Sequence, residues 1–468
     1  MSGRSLFVLS LFFFTNSAFA QLRLPSIISS GMVLQQNDTV TLWGWGNPGE
    51  KVVITTSWNY RSDSINVNNR ANWKIKVKTP AAGGPYSVII KGSNTFVLTD
   101  VLIGEVWVCS GQSNMEWGYT NGLKDIKDEL PNSSNKNIRF FNIPKTTANH
   151  QQDDVKGEWK VCDSNTLKTF SAVGYFFGKK LNKELNTPIG LINSSWGGTP
   201  AEVWTPENVF RDDDELRLSS SRLQSFRWWP KHEGLCYNAM IDPITKYNIA
   251  GVIWYQGETN TGNNNTYYKL FTTMIRSWRD VWKKEFPFYY VQIAPYKYSF
   301  NNVGALIQEA QTSAMSYPKT GMVVITDLVD SVTDIHPSNK HDVGFRLANW
   351  ALAETYNQKK IIYKSPMFNN KMISNNTIIL NFENAQKGLV ATGEINGFFI
   401  SGEAEKWYPA KAKIEKDKII VWNDQVMAPV HVRFGFGNII IGNVFSKEGL
   451  PLCPFRTDNW MVDQSQIK

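Results

Sequence analysis

Cysteine and histidine are scarce in this chain, four and five residues among 468. The cysteines, Cys109, Cys162, Cys236 and Cys453, follow none of the paired spacings that build a zinc site, so metal chemistry has little to stand on. Four cysteines permit three disulfide pairings and their spacing selects none; Cys109 sits in an apolar run and reads as a buried thiol. Long apolar segments are missing too. Beyond the first 20 residues no stretch reaches the roughly 18 apolar residues that argue for a membrane-spanning helix, so no membrane span is expected. Long basic runs are also absent: the formal net charge is +8, but Lys and Arg are scattered singly and in pairs. That pattern excludes a nucleic-acid binder and leaves a mild bias toward anionic substrates.

The first stretch, MSGRSLFVLSLFFFTNSAFA, has a basic residue (Arg4), a short apolar core and an Ala18-Phe19-Ala20 ending. This is the pattern of a secretory signal peptide over 1–20. The mature chain then starts near Gln21 and is exported, to a periplasm or the exterior. A length of 468 residues implies two to four domains with ample core. The 18 Trp are mostly core material, although exposed aromatics also stack on sugar rings.

Three zones follow the signal peptide. Over 21–100, "TVTLWGWG", "KVVITTSW", "WKIKVKT" and "YSVIIKG" alternate apolar with polar between turn clusters, which predicts a small antiparallel β-sandwich. Over 101–358, apolar strands at 103–109, 189–193, 249–254, 288–293 and 322–326 alternate with helices. One helix spans 267–284, with Leu270, Phe271, Met274, Ile275, Trp278, Val281 and Trp282 on its apolar face. Another follows Pro337, with Ser338 as N-cap. The pattern is α/β, a parallel sheet covered by helices with ligands at the carboxyl ends of its strands. Over 359–468 the chain is β-rich again and ends in a turn-rich return segment.

The polar clusters that follow the middle strands are Gly111-Gln112-Ser113-Asn114, Ser195-Trp196-Gly197-Gly198-Thr199, Tyr255-Gln256-Gly257-Glu258 and Asp334-Ile335-His336-Pro337. All of them fall at one edge of the predicted sheet. A serine hydroxyl is a poor nucleophile until a base within hydrogen-bond reach takes its proton. An imidazole can do so near neutrality, and a carboxylate orients that ring. Ser113, His336 and Asp334 fit those roles, and the N–H groups of Ser113 and Gly198 with the Gln256 amide are candidate oxyanion donors. Seen alone, a Ser in such a turn is structural in most proteins and His336 could simply cap a helix; the joint occurrence after successive strands favours chemistry. His150, His232, His341 and His431 lack such surroundings. The spacing is not the G-x-S-x-G elbow of α/β-hydrolases.

The combination "GEVWVCSGQSNMEW", "INSSWGGTPAEVW", "WYQGETN", "DIHPSNKHDVGFRLA" and "GLPLCPFRTD" resembles the sialate O-acetylesterases, a branch of the SGNH hydrolases, over nearly the whole chain. The resemblance implies a flavodoxin-like SGNH domain with β-sandwich regions and hydrolysis of acetyl esters on carbohydrates. It further implies Ser113 as nucleophile, His336 as base, Gly198 and Gln256 in the oxyanion blocks, and Glu258 and Asn114 as supports. Two positions depart from the wider SGNH pattern. Thr333 stands three before the histidine where that pattern has Asp, which leaves Asp334 as the acid with Asp330 in reserve. Gln256 stands where the pattern has Asn.

The expected activity is a serine esterase without metal or cofactor, acting on an O-acetylated sugar or glycan. A 9-O-acetylated sialic acid is the first substrate reading, and an acetylated plant polysaccharide (xylan, xyloglucan or pectin) the second. A non-catalytic carbohydrate-binding protein would predict a damaged Ser/His pair, and both residues are present. A serine peptidase has only generic acyl-transfer machinery in its favour. Oligomeric state leaves no signal in the sequence.

Overall fold

The computed structural model describes residues 21–467, so the segment read as a signal peptide lies outside the described residues. The organising element is one strand, β1 (Thr95–Gly111). Its outer part pairs with the amino-terminal strands Val33–Gln35 and Gly83–Lys91, and its inner part is the middle of the α/β sheet. Position 100, where the composition changes, therefore falls inside a continuous strand. From Val101 onward every residue of β1 is buried, as a strand covered on both faces requires.

The other strands of this part are β2 (Asn135–Asn142), β3 (Trp159–Cys162), β4 (Ile189–Ser195), β5 (Gly251–Tyr255), β6 (Phe288–Val291) and β7 (Thr320–Val323). They lie in the order β7-β6-β5-β1-β4-β2-β3, all parallel except β3. Setting aside the edge pair β2 and β3, this is the flavodoxin-like order. The edge pair is not anticipated by periodicity, and β7 ends three residues early because Thr326–Leu328 turns into a 3-10 helix.

Helices cover both faces: α1 (Ser113–Glu116), α2 (Ala172–Leu185), α3 (Tyr267–Trp282), α4 (Val303–Ser313) and α5 (Lys340–Trp350). Alternation along β1 separates the two layers. Trp107 and Cys109 share a core with Phe176 and Val343 of α2 and α5, whereas Val106 and Val108 share one with Phe271 and Trp278 of α3. Five of the expected core residues of α3 are buried; Val281, in its last turn, is exposed. The N-cap of α5 is Asn339 and not Ser338, because the Asn339 side chain accepts the Asp342 N–H at 2.9 Å.

Beyond residue 366, Met367–Ser374, Thr377–Glu383, Lys418–Trp422 and Lys411–Glu415 form an antiparallel sheet around an apolar core of its own. The return segment ties this part to α4, since Arg456 grips the Glu309 carboxylate at 2.7 and 2.9 Å. All four cysteines are free and buried. Among the described residues no helix is long and apolar enough to cross a membrane.

Candidate active site

Strand β1 ends at Gly111, whose φ of +135° excludes most side chains and whose Cβ would lie 2.2 Å from the Tyr255 carbonyl of β5. The tight junction lets Gln112 donate its N–H to that carbonyl at 3.0 Å and cap α1, so Ser113 emerges at the carboxyl edge of the sheet. His336 comes from the loop between β7 and α5, 223 positions later, and its Nε2 lies 2.9 Å from Ser113 Oγ. Asp334 is beside it. One carboxylate oxygen accepts the His336 backbone N–H at 2.9 Å and lies 3.6 Å from Nδ1. Asp330 instead accepts the Ser338 N–H at 2.7 Å and braces the loop.

Two features hold the imidazole. The Trp117 indole stacks on it with centroids 3.7 Å apart and planes 17° from parallel. Burial, with the Lys340 charge nearby, pushes its pKa down to about 4 against the opposing pull of Asp334. The ring is therefore neutral, and able to accept a proton, across the physiological range.

Behind the pair lies a buried polar network. Asn114 donates from Nδ2 to Glu258 Oε1 at 2.7 Å and to the Ile335 carbonyl at 3.0 Å, and its Oδ1 accepts from Lys340 Nζ at 2.6 Å. The residue after the nucleophile is thus fastened to the residue before the base. Lys340 is fully buried, and desolvation lowers its pKa to about 8; desolvation likewise raises that of Glu258. The Asp125 carboxylate accepts the backbone N–H groups of Lys340 and His341, fixing the first turn of α5.

The Gly197-Gly198 turn lies against Ser113, since a Cβ on Gly197 would be 3.3 Å from that of Ser113. Glu116 accepts the Gly197 N–H at 2.5 Å and pairs with Lys145 at 2.5 Å. Gly198, at φ +79°, turns its carbonyl to the Thr259 hydroxyl at 3.0 Å. Among the described residues, the N–H groups of Ser113 and Gly198 have no protein acceptor. Gln256 is placed differently from the expectation. It is fully buried, with its amide nitrogen on Asn260 Oδ1 at 2.7 Å and the Thr199 carbonyl at 3.3 Å, while its oxygen takes the Tyr267 hydroxyl. Both amide protons are committed, so Gln256 braces the loops and is not a free oxyanion donor here; its extra methylene over Asn carries the amide into the layer beneath.

Residues 103–353, which run from within β1 to just beyond α5, match the family described as carbohydrate esterase, sialic acid-specific acetylesterase. The chain belongs to this family. The sialate O-acetylesterases of Homo sapiens and Pongo abelii are each 31% identical to it over 389 residues, 75% of this chain and 74% of theirs. That of Rattus norvegicus is 29% identical over 83% of this chain and 84% of its own. Among solved structures, a carbohydrate acetylesterase from Xanthomonas citri has a TM-score of 0.86 and 33% identity, covering 94% of this chain and 100% of that one.

Motif reading of this acetylesterase domain overlooks Trp117, Glu116, Asp125 and Lys340. Lys340 alone left a signal. It opens α5, where a cation opposes the positive end of the helix dipole, a placement that needs a compensating carboxylate. Trp117 offers a test of how tightly the base is aimed. Trp117→Leu is expected to lower kcat about tenfold with KM little changed, because a loosened ring spends less time in line with Ser113 Oγ. Steady-state kinetics on a soluble acetyl ester would read this, and unchanged kcat would make the stacking incidental.

Proposed function

We propose that Ser113, His336 and Asp334 carry out the acetyl ester hydrolysis that family membership assigns to this chain, with a 9-O-acetylated sialic acid as substrate. The observation that carries this reading is the 2.9 Å contact between Ser113 Oγ and a neutral, clamped His336 at the carboxyl edge of the parallel sheet. Ser113 Oγ attacks the acetyl carbonyl while His336 Nε2 takes its proton. The carbonyl oxygen becomes an oxyanion held by the N–H groups of Ser113 and Gly198. The proton then passes to the departing sugar oxygen, leaving acetyl-Ser113. Water, deprotonated by the same nitrogen, attacks that ester and releases acetate.

Asp334 stabilises the imidazolium that forms in each step. Its carboxylate already holds the His336 backbone, and the 3.6 Å gap to Nδ1 shortens as the ring gains charge. Asp330 is engaged elsewhere and is not needed for this role. The mature enzyme meets its glycan outside the cytoplasm, after removal of the segment ending at Ala20. The names of the mammalian relatives support a sialic acid, and the positive net charge that remains without Arg4 suits a carboxylated sugar.

Acetate release from 9-O-acetylated sialic acid and from acetylated xylan, measured side by side with the wild-type chain, tests the reading. Release from the sialic acid is the expected result. Release from xylan alone would keep the mechanism and change the substrate, and release from neither would overturn both.

A further inference from the structure

Outside the triad, the segment Phe226-Arg227-Trp228-Trp229 is the feature beside the nucleophile that the mechanism leaves unused. It is held against the site at two points. Trp229 covers Gly198 so closely that a Cβ there would meet its ring at 2.2 Å. Trp196, whose own N–H is fixed to the Gly111 carbonyl at 3.0 Å, donates from its indole to the Trp228 carbonyl at 3.2 Å. Within this anchored segment Phe226, Arg227 and Trp228 are exposed, while Trp229 packs onto Gly198. Trp228 is 71% exposed and Phe226 47%, the latter tilted against Trp229 with centroids 4.7 Å apart. Large aromatic faces left in water beside an open carbohydrate esterase centre have the shape and polarity that the C–H faces of a pyranose ring cover.

The charge in the segment is equally unspent. Arg139, Arg346, Arg433 and Arg456 each grip a carboxylate. Arg227 is exposed and lies over the Trp228 ring, 5.4 Å from its centroid, and among the described residues it has no carboxylate partner. A guanidinium already laid along an indole loses little freedom when it binds, and its planar fork matches a carboxylate bidentately.

Resting on the esterase reading above, we propose that Phe226–Trp229 is the sugar-binding wall of the active site, with Trp228 stacking on the acetylated pyranose ring and Arg227 binding the carboxylate of an acidic sugar. The acetyl group then enters between this wall and Ser113, under Gly198. Specificity for the sugar is thereby separated from the chemistry: the wall acts on KM for an acidic glycan and leaves a minimal acetyl ester unaffected.

The test is a comparison of wild type, Arg227→Met and Trp228→Ala on three substrates: 4-nitrophenyl acetate, 9-O-acetylated N-acetylneuraminic acid and a neutral acetylated xylo-oligosaccharide. Arg227→Met is expected to raise KM for the acidic sugar about tenfold or more while leaving the aryl ester and the neutral sugar within about twofold. Trp228→Ala is expected to weaken both sugars and spare the aryl ester. Equal losses on all three substrates, or no loss on the acidic sugar, would overturn the proposal. Should the wild type cleave the aryl ester and the neutral sugar but not the acidic one, the Arg227 assignment falls while the esterase reading stands; inactivity on all three would remove that reading as well.

Discussion

Ser113→Ala is expected to slow acetate release from an acetylated sugar by about 10⁴- to 10⁶-fold with the fold intact. The hydroxyl is the atom that becomes bonded to the acetyl carbon, and its side-chain contact is with His336 Nε2 at 2.9 Å. Nothing in the architecture depends on it. The turn before it is fixed by Gly111 and by the Gln112 N–H on Tyr255, and α1 by the N–H groups of Met115 and Glu116 on the Gln112 carbonyl. Alanine is the best helix former, so α1 tolerates the change. The N–H groups of Ser113 and Gly198 survive in the mutant, which leaves a small residual rate from binding and oxyanion stabilisation with water as the attacking group. Acetate release measured alongside a thermal melt checks this. A near-wild-type rate at an unchanged melting temperature would remove Ser113 from the nucleophile's role.

The parts legible in the sequence were those encoded locally. A strand buried on both faces reads as an unbroken apolar run, so β1 and β5 were visible, and a parallel sheet then sends the polar residues after each strand to one edge. That argument brings Ser113, Gly198 and His336 together across more than 200 positions without any contact being known. It fails where burial is decided by neighbours. Strand β2, second from the edge, carries a mixed pattern, Asn135 to Asn142, because its outer neighbour is only the short antiparallel edge strand β3. Gln256 reads as an oxyanion donor by position, yet its amide is spent on Asn260 and Thr199, which approach from separate loops. Trp117 and Lys340 act through partners 219 and 226 positions away in one case and the other, measured from His336 and Asn114; the placement of Lys340 at a helix start signals that it needs a partner, but no local pattern names that partner or records the Trp117 stacking.

Lys340→Met is expected to lower stability by about 3 kcal/mol at neutral pH and also to move the acid limb of kcat/KM to higher pH. The two effects share one cause. Lys340 is fully buried, with Nζ on Asn114 and Glu258 across the same amide. Methionine keeps much of the stem but leaves Glu258 without a nearby cation and with its Oε2 already unpartnered. A carboxylate whose folded pKa is raised above its unfolded value costs stability where it is ionised. That cost is in full force above the folded pKa and vanishes below the unfolded one, where both states hold the proton. The deficit relative to wild type should therefore be large near pH 8 and shrink as pH falls toward the ordinary carboxylate range. The activity effect comes from His336, which works in its neutral form. In the wild type, burial and then Lys340 hold its pKa down to about 4, against Asp334. Without the Lys340 charge burial still depresses it, but less of the total depression remains, so the rise of kcat/KM with pH begins at a higher pH. Chemical denaturation at several pH values and a pH profile of kcat/KM read the two arms separately. A stability loss that is flat with pH, together with an unmoved acid limb, would reduce Lys340 to a packing residue; a shifted limb would identify it as the charge that keeps the base free of its proton.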